Sequence, residues 1–184
     1  MEYRRGIMKT SLSENLRVLM TRKLFEKITI KQICDETGVI RATFYNYFDD
    51  KYDCLNWIVH TDLLGDKQAM VTGNFDLFIN SAFNNIEKNR EFYRAAYNVT
   101  GQNSFEDMIR SNLSDAIIQF FDENRKMDYL PAYSNEILAR YYAEGFAFII
   151  RQFVFDSTGA SVSSYCRMVF DLLNHSFSDY VARR

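Results

Sequence analysis

Leu12, Leu16, Leu19, Met20 and Leu24 recur at helical spacing and predict a first amphipathic helix from about Ser11 to Phe25. A second, short helix follows. Thr29 is a good N-cap, Gln32 three residues on completes a capping box, and Ile28 and Ile33 stand at the two positions of a hydrophobic staple. This helix runs to Thr37 and meets Gly38, suited to a left-handed turn. After Val39 and Ile40, a third helix covers Arg41 to Phe48, and Asp50 caps a fourth that starts at Lys51. Two short helices joined by a glycine-containing turn have the proportions of a helix-turn-helix, although a helical hairpin inside a bundle shares that spacing.

Beyond this head the same period continues. Further helices are expected over Phe75–Asn89, Arg90–Asn98, Ser104–Asn124, Ser134–Phe155 and Ser161–Val181. Ser104 with Asp107 is another cap signature, and Pro131 falls in a polar linker. The fold class is therefore all-α: an N-terminal helix-turn-helix domain over 1–50, with 1–9 as a flexible arm, and a C-terminal helical domain over 51–184. The joint lies inside the fourth helix. The stretch 137–155 is apolar on nearly every side, with Phe146, Ile150 and Phe153 among its residues. The last helix carries a ladder of Val162, Cys166, Val169, Leu173 and Phe177. An ordinary internal core would use part of this surface; the excess points to closure against a second copy.

Composition sharpens the picture. The chain of 184 residues is 47% hydrophobic and 16% aromatic, with one proline and seven glycines, which favours long helices over a β-sandwich. The net charge of −2 hides an asymmetry: residues 1–51 carry ten Lys/Arg against seven Asp/Glu, the remainder twelve against seventeen. A polyanion partner is expected to meet the basic head. Cys34, Cys54 and Cys166 are widely spaced and only two histidines are present, so neither a disulfide framework nor a metal site is expected, and the cytoplasm is the expected home. No stretch approaches the roughly 18 apolar residues of a membrane helix, and no leader is evident. Met8 is a second possible start. No Glu-x-x-His pair or nucleophile motif appears, so neither cofactor nor catalysis is expected.

The third helix carries the chemistry. Phe44 and Phe48 would face the core of the head, leaving Arg41, Ala42, Thr43, Tyr45, Asn46 and Tyr47 outward. A guanidinium can bind guanine in a bidentate way, a carboxamide can read adenine, and a small methyl can meet thymine. Phenols can hold phosphates.

This segment, from Thr29 through Arg41-Ala42-Thr43-Phe44-Tyr45-Asn46-Tyr47-Phe48 to Lys51, resembles the tetracycline-repressor (TetR) family of bacterial transcription regulators. The likeness runs from Leu12 to Trp57, and the Thr-Phe-Tyr-Asn-Tyr-Phe form is most similar to a subgroup containing activators of dihydroxyacetone-kinase operons. The resemblance implies that Thr29, Lys51 and Tyr47 hold phosphates, helped by Thr43, while Arg41, Ala42, Tyr45 and Asn46 face base edges. Two positions depart from the pattern: Ile40 stands where Ser or Thr often caps the recognition helix, and Ala42 replaces a frequent glycine. The implied function is a regulator that binds palindromic operator DNA as a homodimer and answers to a small-molecule effector. A member controlled instead by a partner protein is one alternative, and a small helical enzyme is the rival from another class. The effector site is not legible: Trp57, His60, Tyr93, Tyr97 and Tyr141 would suit a pocket or a core equally as residue types, and aromatics at this spacing are more often core. His175 is expected at the surface or an interface.

Overall fold

A computed structural model describes residues 2–65, 69, 72–124 and 133–180 of the chain. The described helices are α1 (Glu2–Met20), α2 (Ile30–Thr37), α3 (Arg41–Tyr45), α4 (Lys51–Leu64), α5 (Phe75–Lys88), α6 (Arg90–Ala96), α7 (Phe105–Asn124), α8 (Asn135–Phe155) and α9 (Val162–Asn174). Short 3-10 turns occupy Phe25–Lys27 and Phe177–Tyr180, and no strand occurs among the described residues. The all-α expectation holds. Pro131 and its linker lie outside the described residues.

Two helix bounds differ from the sequence pattern at the start. The backbone of 2–9 is helical and continuous with the rest of α1, where a flexible arm is expected. Its inner end has an anchor: the Lys9 ammonium sits 5.0 Å from the Phe48 ring centre and 5.5 Å from that of Trp57, a cation–π contact with the core of the head. At the other end α1 stops at Met20, and Phe25, at the start of a separate 3-10 turn, is buried.

The chain packs as two units, one made of Asn89–Ile109 and the chain up to Asp62, the other of Leu63–Lys88 and the chain from Arg110 onward. This division is not the one expected at 50/51. Most of α4 and all of α6 belong with the head, and a buried polar cluster accounts for it. The Arg17 guanidinium on α1 donates to both carboxylate oxygens of Asp62 on α4, at 2.8 and 3.1 Å. The Tyr93 hydroxyl on α6 donates to the same carboxylate at 2.9 Å, and Arg17 stacks over Phe92 at 4.8 Å. Burial alone pulls against the guanidinium's charge, yet its bond to Asp62 and that carboxylate's charge leave its pKa above the usual arginine value. Burial, then Asp62's charge, pushes the Tyr93 phenol well above its ordinary pKa. A charge this deep is tolerable only when paired and fully bonded, so α1, α4 and α6 must meet in one register.

In the second unit α5 packs against α8 and α9. Ring contacts make the joints: Phe83 meets Phe153 edge-on at 5.0 Å, and Tyr165 meets Phe153 at 4.9 Å. Ser134 and Ser161 cap α8 and α9, each accepting a backbone N–H three residues on. The last helix ends at Asn174 rather than running on to 181, because the backbone turns extended at His175.

Candidate nucleic-acid interface and companion cavity

The helix-turn-helix is built from local bonds that the sequence announces. Thr29 accepts from the Gln32 amide and Gln32 accepts from the Thr29 amide, completing the capping box at 3.2 and 3.0 Å. Ile28 and Ile33 are both buried beside it. At the far end Gly38 adopts φ 73°, ψ 32°. Its N–H donates to Asp35 while that of Val39 donates to Cys34, the paired bonds of a Schellman turn. Nothing lies within 4 Å of where a Gly38 Cβ would stand, so glycine is required there by backbone conformation rather than by space.

That turn delivers α3. Phe44 and Phe48 are fully buried, and opposite them Arg41, Ala42, Tyr45 and Asn46 are exposed, with Thr43 and Tyr47 half-buried at the edges. The helix proper ends at Tyr45; Asn46 caps it in helical conformation, and Tyr47 and Phe48 follow in a tight turn rather than in the expected helix to Phe48. Arg41 donates to the Tyr45 hydroxyl at 3.2 Å, which holds both side chains along one face. Ile40 has no side-chain capping bond and is 72% exposed. Sequence reading registered it as a missing cap; its position beside Arg41 makes it an apolar member of the same face. An isoleucine in a turn before a polar helix was the available signal.

Lys51 does not fit its expected part. Its ammonium donates to the carbonyls of Phe25, Glu26 and Ile28 at 2.8, 3.2 and 3.0 Å and lies 4.5 Å from the Phe25 ring centre. An ammonium has three donors, and these three acceptors take them all. Burial lowers its pKa, with Glu26 and Asp50 partly offsetting. Its surroundings are also wrong for an anion, because the Asp50 carboxylate already accepts from the amides of Tyr52 and Asp53 at the start of α4. Lys51 is therefore engaged in closing the turn before α2.

The aromatic candidates for a pocket are divided between the two units. Trp57, His60, Tyr93 and Tyr97 belong to the first unit, with Tyr93 deep in its core, and Tyr141 is 72% exposed on the second. A cavity of about 300 Å³ lies elsewhere, within the second unit, between α5, α7, α8 and α9. Phe75, Phe120, Phe121, Tyr142 and Phe146 form much of its wall.

Residues 73–175, more than half of the chain, match the TetR-type family described as a transcriptional regulator C-terminal region. The chain belongs to the TetR family of transcriptional regulators. It is 25% identical over 160 residues to the HTH-type dhaKLM operon transcriptional activator DhaS of Lactococcus lactis subsp. lactis (strain IL1403), covering 84% of this chain and 82% of that protein. The solved structure of a dihydroxyacetone kinase operon activator DhaS superposes with a TM-score of 0.64 at 20% identity, over 91% of this chain and 94% of the other. A TetR-family regulator from Syntrophomonas wolfei gives 0.61 at 16% identity, over 90% and 92%. The matched family and these relatives are transcriptional regulators rather than enzymes, and no helix among the described residues is long and apolar enough to cross a membrane.

In this TetR regulator the residues expected at a dimer interface are mostly engaged within their own chain. Ile150 and Phe153 on α8, and Cys166 and Val169 on α9, are buried within their own chain, where α5, α8 and α9 pack together. Phe146 and Leu173 line the cavity, Val162 is half-buried, and the Phe177 side chain lies outside what the structure describes. The unused apolar surface is instead a stripe of Ile137, Tyr141, Phe148 and Phe155 along α8, joined by Met168 and Leu172 on α9. His175 is exposed, as expected.

Proposed function

We propose that this regulator binds an imperfect palindrome of duplex DNA as a homodimer, and that a small molecule in the cavity of the second unit modulates that binding. The observation that carries the reading is the outward face of α3: Ile40, Arg41, Ala42, Tyr45 and Asn46 exposed together, backed by the buried Phe44 and Phe48. Arg41 and Asn46 offer the two groups that read guanine and adenine, and Ile40 and Ala42 offer apolar contact for a thymine methyl. Thr29 and Tyr47 keep hydroxyls for phosphates. Dimerisation follows from the stripe on α8 and α9. Tyr141 at 72% and Phe148 at 62% exposure are too apolar and too aligned for a solvated helix. Two copies packed about a two-fold axis form a four-helix interface, and the paired α3 helices then address half-sites with centres roughly 34–36 Å apart.

Sequencing the DNA retained by the purified protein, followed by titrations on the preferred site and on random duplex, tests this. Arg41→Ala should cost about 1–3 kcal/mol on the preferred site and relax specificity there. Equal losses on both duplexes would remove Arg41 from base reading. Phe148→Asp should split the dimer in sedimentation, since a carboxylate cannot be buried unpaired, and should weaken palindrome binding with it; a variant that stays dimeric argues against this interface.

A further inference from the structure

We infer that the cavity between α5, α7, α8 and α9 takes an uncharged, predominantly apolar ligand of about bicyclic-aromatic size, and neither an anion nor a small polyol. The inference rests on the effector reading above and specifies its chemistry. At about 300 Å³ the space is at the lower bound of small-molecule sites and well beyond the voids that packed cores leave. Its walls are held by ring-on-ring contacts, Phe75 against Phe120 at 5.1 Å and Phe121 against Tyr142 at 6.3 Å, so they present fixed aromatic faces and edges. Phe170 and Leu173, each more than a third exposed, mark a mouth.

Polarity decides the class. Among the described residues the lining includes no charged side chain; the polar groups are the Asn174 carboxamide and the Tyr142 hydroxyl. The Asn174 Nδ2 already donates to the Phe170 carbonyl at 2.8 Å, and its Oδ1 is the acceptor of that carboxamide. A carboxylate or phosphate entering here would shed its water, and among the described residues of the lining no cation replaces it. A small polyol would surrender the hydration of several hydroxyls for two partners and would leave most of the space unfilled. A neutral fused-ring or branched hydrocarbon skeleton with one hydrogen-bonding group covers the rings and uses the handle.

The test titrates the full-length protein with two fluorescent probes of one skeleton, neutral N-phenyl-1-naphthylamine and its sulfonate, 8-anilinonaphthalene-1-sulfonate, with glycerol as competitor. The neutral probe should bind once per chain, the sulfonate at least about tenfold more weakly, and glycerol should displace neither. Equal binding of the two probes, or displacement by glycerol, would overturn the assignment. Ala116→Trp, which fills the cavity from α7, should abolish the signal while helical content is unchanged; Leu173→Trp at the mouth serves if that variant does not fold. A signal retained in a folded variant places the probe elsewhere and overturns the site. Retention of operator DNA is measured in parallel. DNA binding without probe binding sinks the ligand class alone. Probe binding that never alters DNA affinity sustains the ligand class and removes its role as effector.

Discussion

Both units pack aromatic rings, but among the described residues the first alone also buries an ion pair. In the head a bidentate Arg17–Asp62 pair, bonded also by Tyr93, sits among three helices with both partners buried. A cross-helix ion pair of the second unit, Arg110 with Glu144 at 2.8 Å, lies at the surface, where such pairs contribute little. What fixes α5, α8 and α9 is edge-to-face packing of Phe83, Phe153 and Tyr165. Polar networks have one satisfied arrangement and are intolerant of displacement. Aromatic contacts tolerate sliding and can enclose space. Under the proposed function, a face that meets DNA in a fixed register and a body that leaves room for a ligand call for these two kinds of interior.

The contrast is open to attack by substitution. Asp62→Ala leaves the buried Arg17 charge with only the exposed Glu14 carboxylate at 3.2 Å as partner and should cost about 3–5 kcal/mol in urea unfolding. Adding Arg17→Met should recover much of that loss; if it does not, the network is not what holds α1 to α4. Lys51→Met should cost about 1.5–3 kcal/mol, the worth of charge-assisted bonds to three carbonyls, with the salt slope of DNA binding unchanged. A slope reduced by about one unit would return Lys51 to the phosphates. Gly38→Val should lose about 1–2 kcal/mol for a side chain forced into the left-handed region, and an unaffected melting curve would mean the turn relaxes. Thr29→Ala should cost about 1 kcal/mol through the lost cap. Smallest of all, Phe170→Leu and Leu173→Met at the mouth of the cavity should shift stability by no more than about 0.5 kcal/mol. A cost there comparable to that of Asp62→Ala would erase the distinction between the units.

The head was legible because its specification is local. Thr29, Gln32 and Gly38 act on backbone within four residues of themselves, and their bonds stand as the pattern implies. The exposed set on α3 followed from the spacing of Phe44 and Phe48 alone. The bonds of Lys51 were not legible because its partners lie 23 to 26 positions back, at a turn whose open carbonyls no sequence pattern displays. The tie of α4 to the head was hidden similarly: Asp62 reads as an ordinary polar residue of α4 until folding brings Arg17 and Tyr93 to it. In the second unit, periodicity located the helices but not their rotation. A helix apolar on nearly every side, such as α8, gives no phase from which to tell Phe153 in the core from Phe148 at the surface.

Trp57 is the sole tryptophan of the chain, and it stands in the first unit, 6.1 Å from the Phe48 ring and under the Lys9 ammonium. Intrinsic emission excited at the red edge therefore reports on the head alone, from a reporter that sits behind the reading face without being part of it. Loss of α1 from its seat removes a cation from the indole and exposes it to water, so the emission band should move to longer wavelength. Far-ultraviolet dichroism sums both units. Recorded during one temperature ramp, the two signals tell whether the charged interior and the aromatic interior give way together or in turn, with no label added to the protein.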